Sequence, residues 1–349
     1  MRSLRSAPGF VPRLALLTIA VLIAAGCAAQ GIPSPFEPGT SAAASSQPNA
    51  NEIAGVGLVA PAAASAPAWQ VAWISPSVQL TGLVVFDPDH AWAAGSDGML
   101  YAWDGTGWHV QRVAHGIALL AAADRRHAWI AGDDGIRYWN GEQWRLTSTD
   151  GAVTALAALD ARHAWAASPA GIAAWTGSDW QLTPGGRDAV VHGIAAADGS
   201  HAWAVGSLSD GQGVVLAWNG SAWHMQAVLP DPLVSVYAAD PRHVWAVSPS
   251  GTVYAWDGKG WRLDTNLHQP LTDITGADGG QLWVTSASGQ IWTLQGGRWG
   301  IVYRAPTTLL AITSLGSTNV WAIGFDTVYS TEAALQTPSS ASAGLGTGF

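Results

Sequence analysis

Tryptophan recurs through this chain in register, and that beat limits what the chain can fold into. Of the 21 tryptophans, Trp92, Trp129, Trp165, Trp203, Trp245, Trp283 and Trp321 follow one another at intervals of 36 to 42 residues. A repeat of this length marks a solenoid, propeller or array, because one unit cannot bury its apolar face alone and must stack on its neighbours. The seven Trp define seven units.

Each unit resolves into four short strands. In the first, Leu80 to Phe86 turns at Asp87-Pro88-Asp89 and resumes as His90-Ala91-Trp92-Ala93-Ala94. Gly95 to Gly98 breaks the run, Met99 to Trp103 continues it, and Asp104-Gly105 leads into Trp108 to Val113. Runs of this length punctuated by Gly, Pro and Asp are strands and hairpins, and no helical period occurs within the repeats. The third turn holds Asp104-Gly105, Asn140-Gly141, Thr176-Gly177, Asn219-Gly220, Asp257-Gly258 and Gln295-Gly296, pairs suited to the positive φ of tight hairpins. A row of open four-stranded sheets would leave long edges exposed, whereas radial repetition protects them. The expected fold is therefore all-β, a seven-bladed propeller of four-stranded antiparallel blades over 68–331.

The seventh unit stops after three strands. A matching fourth strand, Ala68-Trp69-Gln70-Val71-Ala72-Trp73-Ile74, precedes the first unit and aligns with Ala222 to Val228. This predicts that the N-terminal strand completes the last blade and latches the ring. Trp69 thus joins the strand-two series as a blade-packing residue.

The chain ends differ from the repeats. Arg2, Arg5 and Arg13 precede a largely apolar run of 12 residues, Leu14 to Ala25, short for a bilayer span and suited to a signal-peptide core. The run ends in Ala24-Ala25-Gly26-Cys27, and Cys27 is the only cysteine, so no intrachain disulfide or multi-thiolate metal site is possible. These residues resemble a bacterial lipobox, although Ala24 replaces the more usual Leu. The resemblance implies cleavage after residue 26, acylation of Cys27 and membrane contact through that residue alone. The competing reading is a plain secretory signal with a free thiol. Loss of 1–26 removes three Arg and no acid, taking the charge from −9 to −12. The segment 27–67, rich in Ala, Ser and Pro, reads as a flexible tether and 332–349 as a disordered tail.

The composite unit, Asp-x-x-His-x-Trp-Ala-x-Gly followed by Val-Tyr-Ala-Trp-Asp-Gly-x-x-Trp, resembles repeats of bacterial extracytoplasmic propellers. These are grouped with photosystem II assembly-factor propellers and with the Asp-box (BNR) and YVTN/WD-repeat-like families. Val253 to Asp257 is also similar to repeats of quinoprotein-like propellers. The resemblance spans residues 68 to 330 and implies the fold; its function is weakly specified, since propellers host enzymes, lectins and scaffolds. Departures are plain: Val85 and Ala91 stand where an Asp box has Ser and Thr, and the Gly-His of WD repeats is absent.

Composition excludes several chemistries. Charged residues are 11%, with Lys259 the single lysine, so no basic patch exists for nucleic acid. Glu142 is the only Glu inside the repeats, while a glycosidase needs two positioned carboxylates. His90, His127, His163, His201 and His243 share one position, but blade rotation holds them too far apart for a common metal, so they read as turn-exit residues. No cofactor and no metal is expected. The leading expectation is a monomeric, non-enzymatic interaction or assembly propeller anchored outside the cytoplasmic membrane, with an unknown protein partner. A glycan-binding propeller of the cell envelope is the alternative, and a lyase or quinoprotein-type enzyme a distant third. Function should lie where the repeat falters. Unit four carries a longer second loop, Gly206 to Gly213, on the face that also presents the inter-blade connections. That face, with His115, Arg187, Asp188, His192, Asp210, Asp231 and His268, is the candidate partner surface.

Overall fold

The computed structural model describes residues 68–75, 78–148, 152–277 and 280–331. The signal segment, Cys27, the tether, the tail 332–349 and the first-turn Asp278 lie outside the described residues. All regular elements among the described residues are strands, grouped in seven four-stranded antiparallel sheets. Blade one comprises Leu80–Asp87, His90–Gly95, Met99–Trp103 and Trp108–Arg112, from the axis outward. Blades two to six follow in chain order, with inner strands Leu119–Asp124, Ala155–Ala158, Val190–Asp198, Ser235–Asp240 and Leu271–Ala277. Inner strands of successive blades adjoin one another around the ring.

Blade seven closes the ring as expected. Its inner three strands are Leu309–Leu315, Asn319–Gly324 and Thr327–Ser330, and the outer one is the N-terminal strand Gln70–Ile74. The register runs Gln70↔Ser330, Val71↔Tyr329, Trp73↔Val328 and Ile74↔Thr327.

Seven apolar clusters hold the ring, one at each junction between neighbouring blades. Each strand-two Trp points forward onto the next blade: Trp129, Trp165 and Trp321 are at most 1% exposed, and Trp92, Trp203, Trp245 and Trp283 at most 4%. A second Trp points back from the outer strand of the following blade, as Trp144, Trp180, Trp223, Trp261, Trp299, Trp69 and Trp108 do. Trp69 belongs to this backward set, stacked on Tyr303 of blade six at 5.8 Å. Third-strand Trp103, Trp139, Trp175, Trp218 and Trp256 fill the space between, and in three junctions they meet the forward ring edge to face. The centroid distances are 6.3 Å for Trp92 and Trp139, 5.8 Å for Trp129 and Trp175, and 6.4 Å for Trp165 and Trp218.

The outermost strands are exposed edges, and most are kinked. Bulges follow Val71, Leu146, Met225, Leu263 and Ile301 on the outer strands, which twists each edge and disfavours pairing with another chain. The third hairpins are wider than the tight turns expected. Four residues separate the paired Trp103↔Trp108 and Trp139↔Trp144, although Gly105 and Gly141 do take positive φ of 86° and 92°. The side-chain oxygens of Asp104 and Asn140 accept two backbone N–H bonds each, and this stabilises the longer loop.

Each buried indole removes roughly 150–250 Å² from water, so replacing Trp129 by Ala should cost about 3–5 kcal/mol. Deleting residues 68–75 removes Ala72 and Trp73, which are 1% and 6% exposed, from the closing junction. The shortened chain is expected to melt well below the intact one. Equal melting temperatures by circular dichroism would refute the latch.

Candidate functional site

On one face of the ring, the first turns repeat a single device. Asp124, Asp160, Asp198 and Asp240 each accept the backbone N–H two and three residues on, and each carboxylate also meets the Nδ1 of the following His. The contacts are 2.9 Å at His127, 2.8 Å at His163, 2.9 Å at His201 and 2.7 Å at His243, with His90 at 2.7 Å from Asp87. Nδ1 therefore carries the proton. Burial raises the carboxyls of Asp160, Asp198 and Asp240, but the His and backbone hydrogen bonds outweigh it and hold all three below the ordinary value. These pairs fasten turns, each His to its own Asp, and no metal-ligating cluster occurs among the described residues.

The opposite face carries the inter-blade connections, and the sequence-predicted residues lie on it in different states. His115, Arg187, Asp188, Asp210 and His268 are exposed. His192 lies within the inner strand Val190–Asp198, half-buried, its Nε2 3.3 Å from Ser207 Oγ, and burial pulls its imidazole below the ordinary value. The unit-four insertion is partly strand: Val190 pairs with Ser207 and Ser207 with Gly213, leaving a five-residue loop in which Asp210 accepts the N–H of Gln212. Leu208 of that loop packs onto the junction of blades three and four.

Two of the predicted residues are joined through blade five. Asp231 Oδ2 accepts hydrogen bonds from Thr252 Oγ1 at 3.0 Å and Tyr254 OH at 2.9 Å. Asn266 Nδ2 donates to the same Thr252 oxygen, and Asn266 Oδ1 accepts the His268 N–H. His268 takes a φ of 55°, the one non-glycine residue with positive φ among those described. Burial and then Asp231 push the Tyr254 phenol up to about 12, so it stays a donor.

This network borders a groove that sequence reasoning missed. Between blades five and six lies a cavity of about 630 Å³, lined by Trp245, Trp292, Leu294 and Trp299, with Asp264, Asn266, His268 and Arg298 at its margins. Its origin is a break in the repeat. Leu294 pairs with Trp299 where Trp256 pairs with Trp261 in blade five, so a leucine stands in the third-strand tryptophan's place. Blade seven also lacks that Trp, but Tyr303 and Tyr329, 5.6 Å apart, fill its junction with blade six. The signal was present in the sequence as the missing beat at Leu294 and the displaced Trp292.

A second departure is buried at the axis. The inner-strand position held by Gly82, Leu119, Ala155, Gly193, Ser235 and Ala311 in the other blades is Asp273 in blade six. Asp273, 1% exposed, accepts hydrogen bonds from Ser235 Oγ of blade five, Ile312 N–H of blade seven and its own neighbour Ile274 N–H. Burial raises its carboxyl to about 7 despite these three donors.

No protein-family model matches this chain, and no curated protein matches it by sequence. Solved structures do match in shape. YCF48 from Cyanidioschyzon merolae is similar at 16% identity and TM-score 0.61 over 75% of this chain and 98% of that one. YCF48 bound to D1 peptide is similar at 16% identity and TM-score 0.61 over 75% and 94% of the two chains. The WD40 propeller domain of Doa1 is similar at 13% identity and TM-score 0.63 over 76% and 97%. At these identities the likeness bears on fold alone.

Asp273 generates a pH prediction. Its folded value lies above the ordinary 3.8, so its contribution to stability is full below that pH and is lost as pH rises through about 7. The wild-type melting temperature minus that of Asp273→Asn should therefore fall between about pH 4 and pH 7. A difference that stays flat across this range would contradict the raised proton affinity of the buried carboxyl.

Proposed function

We propose that this chain is a lipid-anchored propeller, held outside the cytoplasmic membrane through Cys27, that binds a protein partner on its connection face and carries out no chemistry itself. The carrying observation is the contrast between the two faces. On the first-turn face, the repeated carboxylates are spent on their own turns and His partners. On the connection face, Arg187 and Asp188 are exposed, join no ion pair among the described residues and lie in the connection from blade three to blade four, whereas the exposed first-turn Arg126, Arg162 and Arg242 recur at one position of the repeat. Charges left free on a rigid ring supply orientation and partner selectivity.

Further support comes from the carboxylate with the most altered proton affinity. Asp273 is sealed at the axis with all its contacts internal, so it serves packing rather than a substrate. The similar structure of YCF48 bound to D1 peptide is a propeller of this shape that holds a peptide. The glycan-binding alternative draws little from the strand-two Trp, because at most 4% of each is open for stacking.

A photo-crosslinking residue placed at Arg187 or Asp210 of the full chain in its native envelope should capture a discrete protein. One placed at Thr106 or Glu142, on the opposite face, should not. Capture only from the opposite face would reverse the assignment. Cys27→Ser should move the chain from the membrane pellet to the soluble fraction; continued sedimentation with membranes would contradict the anchor.

A further inference from the structure

We propose that the groove between blades five and six receives the aromatic side chain of a partner peptide, with an acidic residue beside it. The proposal rests on the protein-partner reading; the groove touches the connection face only at its Asn266 and His268 margin, apart from Arg187 and Asp210, so each can fail alone. In five blades the space beneath the forward Trp is filled by the chain's own third-strand indole: Trp103, Trp139, Trp175, Trp218 or Trp256. In blade six the smaller Leu294 stands at that place, and a groove lined by Leu294, Trp292 and Trp299 opens beside it over the forward Trp245, itself 4% exposed. The groove is thus walled by the rings of Trp292 and Trp299 and the side chain of Leu294. A foreign ring entering there would pack on the half-buried Trp292 and Trp299 in the offset or edge-to-face arrangements that aromatic pairs prefer.

The opening is also accessible. Trp292, Leu294 and Trp299 are each only half-buried, and a Cβ added at Gly280 or Gly297 would meet nothing within 4 Å. About 630 Å³ exceeds the volume of one ring and lies in the range of sites that take a ligand with its flanking groups. Charge decides the neighbour. Asp264, the carboxylate in the groove, is held by the Trp299 Nε1 donor at 3.0 Å. Arg298 is exposed at the margin, joins no ion pair among the described residues, and presents a fork suited to a carboxylate. An aromatic residue followed by an acid satisfies both the aromatic-walled groove and this guanidinium.

The test titrates the full chain with capped tetrapeptides by calorimetry. Gly-Trp-Asp-Gly should bind saturably, and Gly-Ala-Asp-Gly about tenfold or more weaker. Leu294→Trp, which restores the repeat, should raise the melting temperature and abolish peptide binding; Trp292→Ala should weaken binding in a chain that still folds. Arg298→Glu should shift preference to Gly-Trp-Lys-Gly. Equal binding of the Trp and Ala peptides, or undiminished binding by Leu294→Trp, would overturn the proposal. Saturable binding of chitotetraose without peptide binding would overturn it too, making the groove a glycan site.

Discussion

The fold depends on indoles that interlock across blade junctions. A forward Trp from one blade and a backward Trp from the next meet at every junction, so no blade buries its apolar face without both neighbours. Stability is therefore a property of the closed ring, since each junction contributes only when its partner blade is in place. Closure falls to Gln70–Ile74, which pairs with the C-terminal strand Thr327–Ser330 and carries Trp73 against Tyr101 and Trp108 of blade one, both at 4.8 Å. The two ends of the described chain thus meet in one sheet.

Because the repeat explains most of the side chains, its exceptions locate what the repeat does not require. Asp273 replaces a mostly small-residue position and binds three inner strands together through Ser235 and Ile312. Leu294 replaces a filler indole and opens a groove. The two lie in the same blade, one at the axis and one toward the rim. Blade six therefore combines a clasp to both neighbours with a groove at its junction with blade five.

Much of the fold was legible because packing chemistry repeats. Seven Trp in register set the blade number, turn residues set the strand breaks, and the orphan strand at Trp69 identified the latch. The loops were less legible: unit four's longer segment reads as an exposed loop, yet its ends, Gly206, Ser207 and Gly213, continue the ladder and leave a shorter loop between them. Periodicity cannot show which inserted residues continue a ladder. The groove was less legible still, because it is an absence. A missing Trp gains meaning only once the neighbouring blade's Trp245 is seen facing the space. Asp273 was similarly obscure, since its donors lie 38 and 39 residues away on other blades. By contrast, the link between Asp231 and His268 runs through Thr252 and Asn266, ordinary polar residues without a motif of their own.

Native-state hydrogen exchange tests the central claim most directly, by comparing the latch strand Gln70–Ile74 with the inner strand Val190–Asp198 on the far side of the ring. If interlocked junctions make the ring one cooperative unit, the paired amides of both strands exchange only through global opening and share one opening free energy. Exchange of the latch amides through a far smaller opening, with the inner strand still protected, would contradict the account.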